Sequence, residues 1–193
     1  MIMKVLVACE FSGRVRDAFI SKGHDAISCD LLPTESDGPH IQGDVLEVIL
    51  KYDFDLIVAH PPCTYLCNSG VTWLYSDTSR MGKMKEAAKF FKSLLYCKIP
   101  RIAVENPIMH SFARELIPRE YDQIVQPWWF GEGETKATCL WLKGLPKLTM
   151  TNKVWGRNDR LHRLPPSKDR GKQRSVTYLG IAKAMADQWS SVI

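Results

Sequence analysis

The sequence predicts an α/β protein with a mostly parallel sheet and helices on both of its faces. Apolar runs at residues 4–9, 56–59 and 101–104 each end in polar residues or proline, as buried strands of a parallel sheet do. Residues 14–22 and 80–96 instead carry apolar side chains at helical spacing, and they lie between these runs. Strands that alternate with helices are typical of βα units in an open sheet.

The composition limits the possible function classes. Hydrophobic residues at 45% and charged residues at 24% are typical of a globular chain, and we expect a single domain over residues 1–193. No apolar run reaches the roughly 18 residues needed to cross a bilayer, so no membrane partner is expected. The six cysteines show neither a disulfide framework nor zinc-ligand spacing. We therefore expect a cytoplasmic protein without a bound metal.

The stretch from residue 55 to residue 70, DLIVAHPPCTYLCNSG, contains the main candidate for chemistry. Its apolar strand must stop at Pro61 and Pro62, because proline has no N–H to donate to a neighbouring strand. Cys63 follows at the carboxyl end of that strand, where open α/β sheets bind ligands. The alternative is that Cys63 is a small buried apolar residue, as most free cysteines are.

A second motif, RIAVENP at residues 101–107, predicts that Glu105 emerges at the same sheet edge. Together the Pro-Pro-Cys and Glu-Asn-Pro motifs resemble those of the DNA cytosine-C5 methyltransferases, as in a short, phage-type member. The resemblance implies a Rossmann-like, S-adenosylmethionine-dependent methyltransferase fold. It also implies that Cys63, preceded by Pro62, attacks C6 of cytosine. Glu105 would bind N3 and the exocyclic amine, and Asn106 would orient the Pro62–Cys63 loop.

The same resemblance implies a cofactor site at the first three strand ends. Residues 4–22 form a strand, a glycine turn and a helix, an arrangement that places backbone N–H groups at the sheet edge. Asp30 could accept hydrogen bonds from ribose hydroxyls, and Gly43-Asp44-Val45 matches a motif whose aspartate binds the adenine amino group. A turn or helix cap is the alternative for either aspartate. The candidate cofactor residues are Cys9, Glu10, Phe11, Ser12, Gly13, Asp30, Asp44 and Pro61.

Two features depart from the family pattern at this site. Of the usual Phe-x-Gly-x-Gly turn, Gly13 is the good match, and Arg14 replaces a glycine. Residues 175–182 correspond to the segment in which an asparagine of the family contacts the cofactor, and they contain no asparagine. We nevertheless expect the turn and nearby positive charge to lower the pKa of the Cys63 thiol, as a nucleophile requires.

Substrate contacts are expected from two segments further along the chain. Residues 126–142 predict a hairpin around Gly131–Glu134, in the place of the family's Gln-x-Arg-x-Arg strand, so Lys136 and Thr138 are candidate base contacts. A loop at residues 71–79, with Trp73 and Tyr75, corresponds to the loop that covers the target base. Residues 143–174 are too short for the family's target-recognition domain, so a partner subunit could supply sequence recognition.

A basic stretch lies within that short segment. Residues 151–174 contain eight lysines and arginines against two aspartates, a surplus of six. Arg157, Arg160 and Arg163 are candidate DNA phosphate contacts, and a solvated surface loop is the alternative. Three other functions stay open: the same chemistry on a free cytosine nucleotide, a catalytically inactive nucleic-acid-binding relic, and an unrelated α/β enzyme in which Cys63 is structural.

Overall fold

A computed structural model describes residues 1–68, 71, 74, 77 and 79–191. The strands are β1 (Lys4–Ala8), β2 (Asp25–Asp30), β3 (His40–Gln42), β4 (Leu56–Ala59), β5 (Arg101–Pro107), β6 (Gln123–Val125) and β7 (Thr138–Lys143). The helices are α1 (Arg14–Ile20), α2 (Val45–Lys51), α3 (Ser79–Leu95), α4 (Ser111–Leu116), α5 (Arg160–Arg163), α6 (Arg170–Ser175) and α7 (Leu179–Trp189), with a 3₁₀ turn at Pro127–Trp129.

The strands form one seven-stranded sheet in the order β3-β2-β1-β4-β5-β7-β6. Neighbours from β3 to β5 are parallel, whereas β7 runs antiparallel to both β5 and β6. The order 3-2-1-4-5 is that of doubly wound, Rossmann-like sheets. The predicted fold class, a mostly parallel, Rossmann-like α/β fold, is confirmed.

Each face of the sheet carries its own hydrophobic core. Side chains of β1 alternate between them: Leu6 packs in the core beneath α2, α3 and α4, and Val7 packs in the core beneath α1 and α7. Phe91 of α3 and Trp189 of α7 are fully buried, one in each core. A central strand that is buried on both faces must be apolar throughout, which explains the uninterrupted run that made β1 and β4 recognisable.

Three parts of the fold differ from the sequence-based expectation. The short strand β3 and the helix α2 were not predicted. Residues 126–142 do not form a hairpin: β7 pairs with β6, with Gln123 opposite Leu140, and residues 126–137 connect the two strands. Pro127 cannot donate to a ladder and begins a 3₁₀ turn instead. The expected loop with Trp73 and Tyr75 lies largely outside the described residues.

The segment between β7 and α7 packs onto the β6–β7 connection. Two isolated bridges join them, Phe130 to Asn152 and Glu134 to Asn158. The regular structure in this segment is limited to α5, of four residues, and α6, of six. Within the described ranges, no helix has the length and apolar character to cross a bilayer.

Candidate active site at the carboxyl edge of the sheet

Cys63 lies just beyond β4 in a tight turn. Pro61 is buried, and the carbonyl oxygen of Cys63 accepts hydrogen bonds from the backbone N–H groups of Leu66 and Cys67, both at 3.0 Å. The turn places the thiol half-buried at the carboxyl end of the sheet, beside the end of β5. This is the position that the Pro-Pro-Cys motif predicts.

Glu105 continues β5 beyond the end of β4 and is almost buried there. Its Oε2 atom lies 2.8 Å from Nδ1 of His60, and the side chains of His60 and Glu105 are 8% and 11% exposed, respectively. Burial raises the pKa of this carboxyl group, but the hydrogen bond from His60 and the charges of Lys136 and His60 outweigh burial and lower the pKa below its ordinary value. Glu105 is therefore held as a carboxylate.

Asn106 links the two motifs. Its Nδ2 atom donates to the carbonyl oxygen of Pro61 at 3.2 Å, and both groups are buried. The bond joins β5 to the backbone two residues before Cys63, so the amide contacts the loop that it was expected to orient. A buried amide bond of this kind fixes the position of a loop, because breaking it leaves both partners unsatisfied.

The structure corrects the expected ionisation of Cys63. A side-chain hydrogen bond with Cys67, burial, and the negative charges of Cys67 and Glu105 raise the pKa of the Cys63 thiol far above its ordinary value. The charge of Lys136 acts in the opposite direction but is outweighed. In this conformation Cys63 is a neutral thiol, and it must lose its proton before it can act as a nucleophile.

Lys136 and Thr138 have different environments, although they are two residues apart. Lys136 is close enough to act electrostatically on both Cys63 and Glu105, and its Nζ atom donates to the carbonyl oxygen of Val176 at 3.4 Å. Thr138 is buried in β7, and its hydroxyl donates to the carbonyl oxygen of Lys136 at 3.2 Å. Of the two, Lys136 borders the candidate site, whereas the Thr138 hydroxyl is used within the protein.

The turn after β1 is held by its own carboxylate. Oε1 of Glu10 accepts from the backbone N–H of Val15 at 2.8 Å, and Oε2 accepts from that of Arg16 at 3.2 Å. Glu10 thus caps the N-terminus of α1, where negative charge is stabilising. These N–H groups were expected to face a ligand, and the structure assigns them to Glu10 instead. Cys9 has a positive φ of 58°, a sparsely populated conformation for a residue other than glycine.

A cleft opens beside this turn. One wall is the turn itself, and the other is the segment that leads into α7, with His60 between them. Its polar groups include the hydroxyls of Ser12 and Thr177. The lining residues are Cys9, Glu10, Phe11, Ser12, His60, Ser175, Val176 and Thr177.

Asp30 and Asp44 both support the local backbone. Oδ1 of Asp30 accepts from the N–H of Leu32 at 2.9 Å, and Oδ1 of Asp44 accepts from that of Leu46 at 2.8 Å as the N-cap of α2. Asp30 therefore stabilises a turn and Asp44 caps a helix, the structural roles that were the alternative to cofactor binding. Both carboxylates nevertheless lie close enough to Cys9 for their charges to act on its thiol. Burial is the main cause of the raised pKa of that thiol, and the charges of Asp30 and Asp44 raise it further.

These residues suit S-adenosylmethionine chemically. Carboxylates at Asp30 and Asp44 can accept hydrogen bonds from hydroxyl and amino groups, and each uses Oδ1 locally. Ser12 and Thr177 add hydroxyls, and the ring of Phe11 offers an apolar surface to the cleft. Within the described ranges, no group of three or more histidine, cysteine, aspartate or glutamate side chains could hold a metal ion.

The three candidate phosphate-binding arginines all have partners within the protein. Arg157 lies 3.6 Å above the ring of Trp128 and donates to two backbone carbonyls. Arg160 pairs with Glu134 at 2.8 Å, and Arg163 pairs with Asp159 at 2.8 Å. Arg163 is the more exposed of the two ion-paired arginines, with 78% of its side chain accessible.

Several residues at the site were not predicted from the sequence. His60 is the first residue after β4, and its position at a strand end was the available signal. Tyr178 donates to Oε2 of Glu134 at 2.6 Å, and the N–H of Gly180 donates to Oε1 of Glu132 at 2.7 Å. These bonds attach the start of α7 to the β6–β7 connection. They join positions more than 40 residues apart, which no local pattern reveals.

Comparisons with known proteins return methyltransferase structures at low identity. A protein described as a DNA modification methyltransferase encoded within a prophage (E. coli) has a TM-score of 0.46 and 16% identity, covering 72% of this chain and 46% of that one. The Entamoeba histolytica methyltransferase EhMeth has a TM-score of 0.49 and 14% identity, covering 80% and 58%. The S. pombe Dnmt2 methyltransferase has a TM-score of 0.48 and 14% identity, covering 83% and 54%.

This chain spans about half the length of those three structures. No protein-family model and no curated protein sequence matches it. The function therefore rests on the chemistry of the site.

Proposed function

We propose that this chain transfers a methyl group from S-adenosylmethionine to C5 of cytosine in DNA, through a covalent bond between Sγ of Cys63 and C6. One observation supports this most directly. Cys63 and Glu105 stand at neighbouring strand ends, Asn106 joins the two segments, and Glu105 is close enough for its charge to act on the Cys63 thiol. A structural cysteine would need neither the acidic neighbour nor the bond to Pro61.

The first chemical requirement is to deprotonate Cys63. The pKa of the thiol is raised first by its hydrogen bond with Cys67 and by burial, and then by the negative charges of Cys67 and Glu105, so the thiol is neutral. A shift of the proton from sulfur to the Glu105 carboxylate moves the single negative charge from Glu105 to the sulfur of Cys63. The neighbouring ammonium group of Lys136 stabilises that thiolate. Cytosine binding would favour the shift, since N3 is a base that can then take the proton from Glu105.

Addition of the thiolate to C6 breaks the C5–C6 double bond and places electron density on C5. Protonation of N3 by Glu105 prevents negative charge from accumulating on the ring during this step. When bound, S-adenosylmethionine supplies the electrophilic methyl group. Water then takes the C5 proton, the C5–C6 double bond is restored, the C6–S bond breaks to release Cys63 as a thiolate, and N3 returns its proton to Glu105. In duplex DNA the target base must leave the stack to reach the thiol.

The cofactor would be held by the cleft residues Cys9, Glu10, Phe11 and Ser12, with Asp30 and Asp44 beyond them. Pro61 would contribute through the shape of the loop. Lys136 would face the base, and Arg157, Arg160 and Arg163 would lie along the phosphates. The proposed roles of the cofactor residues and Lys136 rest on position at the sheet edge, and those of the arginines rest on their positive charge.

A free cytosine nucleotide is the second candidate substrate. Residues 143–174 are all described, and the regular structure among them is limited to β7's last residue, α5 and part of α6. A segment of this kind offers little surface for reading a DNA sequence. A DNA methyltransferase whose partner subunit reads the sequence would equally account for this small recognition surface.

The decisive experiment supplies labelled S-adenosylmethionine with DNA, RNA or dCMP in parallel. We expect label in DNA with the wild-type chain and none with Cys63→Ser. Glu105→Gln should fold normally and transfer label more slowly by about 10²–10⁴-fold, which is the usual contribution of a positioned acid or base. Label in dCMP alone would favour the nucleotide enzyme. Absence of label in all three substrates would favour the nucleic-acid-binding relic.

A further inference from the structure

His60 has two ring nitrogens, and the proposed reaction gives neither of them a role. Its Nδ1 atom contacts Oε2 of Glu105 at 2.8 Å, and its side chain is 8% exposed. Its Nε2 atom is buried and has no hydrogen-bond partner among the described residues. His60 also lines the cleft beside Cys9–Ser12 and Thr177. A buried polar atom without a partner is uncommon in proteins, and it calls for a ligand or water.

The tautomer of His60 follows from its partner. Glu105 is held as a carboxylate, which accepts hydrogen bonds and cannot donate them. Nδ1 must therefore carry the hydrogen. Nε2 is left without a partner, as an acceptor in a neutral imidazole and as a donor in an imidazolium. A hydroxyl group can satisfy Nε2 in either state, because it both donates and accepts hydrogen bonds.

We propose that His60 is a positioning residue that couples the cleft to Glu105: Nδ1 holds the carboxylate in place, and Nε2 forms a hydrogen bond with a hydroxyl group of the molecule bound in the cleft. This inference rests on the proposed function for the identity of that molecule, S-adenosylmethionine. Occupancy of the cleft then fixes the imidazole ring, and the fixed ring fixes Glu105 toward the base. The enzyme thereby becomes competent for addition when its cofactor is present.

The groups that face Glu105 come from three parts of the fold. His60 and Cys63 follow β4, Lys136 precedes β7, and Cys139 lies on β7, where burial first and then the charge of Glu105 raise the pKa of its thiol to about 12. The hydrogen bond from His60 is the strongest of the influences that keep Glu105 ionised. Loss of that bond should therefore shift the acid limb of the reaction's pH profile upward.

Two substitutions test the two ring nitrogens of His60 separately, because each keeps a polar atom near one nitrogen and removes the other. His60→Asn keeps a side-chain N–H near the position of Nδ1 but removes Nε2, whereas His60→Gln keeps a polar atom near Nε2 but removes the bond to Glu105. The binding readout is calorimetry with S-adenosylhomocysteine, which requires no turnover. The rate readout is formation of a covalent adduct with DNA that contains 5-fluorocytosine, measured across pH.

His60→Asn should bind S-adenosylhomocysteine about three- to tenfold more weakly, the equivalent of one neutral hydrogen bond, and keep the wild-type pH profile. His60→Gln should keep the affinity and move the acid limb upward by about one to two pH units, the range for a hydrogen bond to a charged group. His60→Ala should show both defects. A low-field proton resonance from Nδ1–H should be present in wild type and lost in His60→Asn and Glu105→Gln.

Failure of the coupling and failure of the proposed function give different results. If S-adenosylhomocysteine binds the wild type but all three His60 variants bind it equally and share one pH profile, the coupling is wrong and the methyltransferase proposal stands. If the wild type binds no S-adenosylhomocysteine, the cofactor proposal is wrong, and the proposed coupling between the cleft and Glu105 is wrong as well. If the affinity falls in His60→Gln as much as in His60→Asn, the assignment of the two ring nitrogens is wrong.

Discussion

The side-chain amide of Asn106 donates to the carbonyl oxygen of Pro61 at 3.2 Å, across the boundary between β5 and the loop after β4. This bond fixes the loop that carries Cys63 relative to the strand that carries Glu105. In the proposed mechanism Cys63 is the nucleophile and Glu105 its acid–base partner. Their separation must stay constant for both to act on one base, since a misplacement of about 1 Å can cost about 10²-fold in rate.

The first prediction identifies the nucleophile. With DNA that contains 5-fluorocytosine, the C5 substituent cannot leave after methyl transfer, so the enzyme should stay covalently attached. Wild type and Cys67→Ser should give an adduct that resists denaturation, and Cys63→Ser should give none. Cys67→Ala should react at least as fast as wild type, because it removes the hydrogen bond that most raises the pKa of Cys63.

The measurement is gel electrophoresis of the denatured complex. Trapping of DNA by Cys63→Ser would show that another residue is the nucleophile. Failure of wild type to trap it while label is being transferred would refute the covalent mechanism for this substrate.

The second prediction concerns the stability of the fold in acid. The pKa of Glu105 lies below its ordinary value of 4.5 in the folded chain, so on acidification the unfolded chain takes up this proton first. The stabilisation is present above about pH 4.5 and is lost as the pH falls through the folded pKa. Urea unfolding at a series of pH values should show a smaller acid-induced loss of stability in Glu105→Gln than in wild type. Parallel curves for the two proteins would contradict this.

The third prediction tests the aspartates of the proposed cofactor site while keeping their structural roles. Asp30→Asn and Asp44→Asn retain a side-chain oxygen for the N–H groups of Leu32 and Leu46, and asparagine is as good a helix N-cap as aspartate. Thermal stability should therefore change little, while the affinity for S-adenosylhomocysteine should fall in calorimetry. Unchanged affinity in both variants, or absence of binding by wild type at millimolar ligand, would remove these residues from the cofactor site.

The fourth prediction concerns the arginines of the basic segment. If they bind phosphates, replacing Arg157, Arg160 and Arg163 with alanine should flatten the log–log dependence of DNA affinity on salt, by roughly 0.9 for each phosphate that is no longer neutralised. A variant with Lys85, Lys89 and Lys98 replaced removes the same charge from another exposed surface and should keep the wild-type slope. Equal slopes for the wild type and the arginine variant would mean that these side chains serve their internal partners, such as Glu134 and Asp159.

The fifth prediction compares two glycines. Gly13 has a φ of 71°, and an added Cβ would lie 2.1 Å from Oγ of Ser36 and 2.4 Å from the guanidinium of Arg16, which is fully buried. Gly13→Ala should destabilise the fold by about 1–3 kcal/mol through strain and overlap. Gly82 lies in α3 with open space around it, so Gly82→Ala should stabilise the fold by about 0.5–1 kcal/mol. Chemical denaturation measures both, and the same sign for the two changes would contradict this explanation.

Local sequence patterns were sufficient to establish the framework of the fold. β4, and β1 from Val5 onward, had to be apolar because both of their faces are buried. Pro61 and Pro62 had to end β4 because proline cannot donate to a ladder. α3 was equally visible, since its buried residues recur at helical spacing. Because these signals are local, the amino-acid order alone could place a cysteine and a glutamate at neighbouring strand ends of one sheet edge.

The connections within the site depend instead on contacts between segments that are distant along the chain. β7 pairs with β6 instead of forming a hairpin within residues 126–142, Glu10 caps α1, and His60 holds Glu105. The thiol of Cys63 has a raised pKa and not the lowered one that the sequence suggested. An ionisation state depends on burial and on charges from β5 and the β6–β7 connection, which come together in the folded chain. No pattern within one segment contains that information.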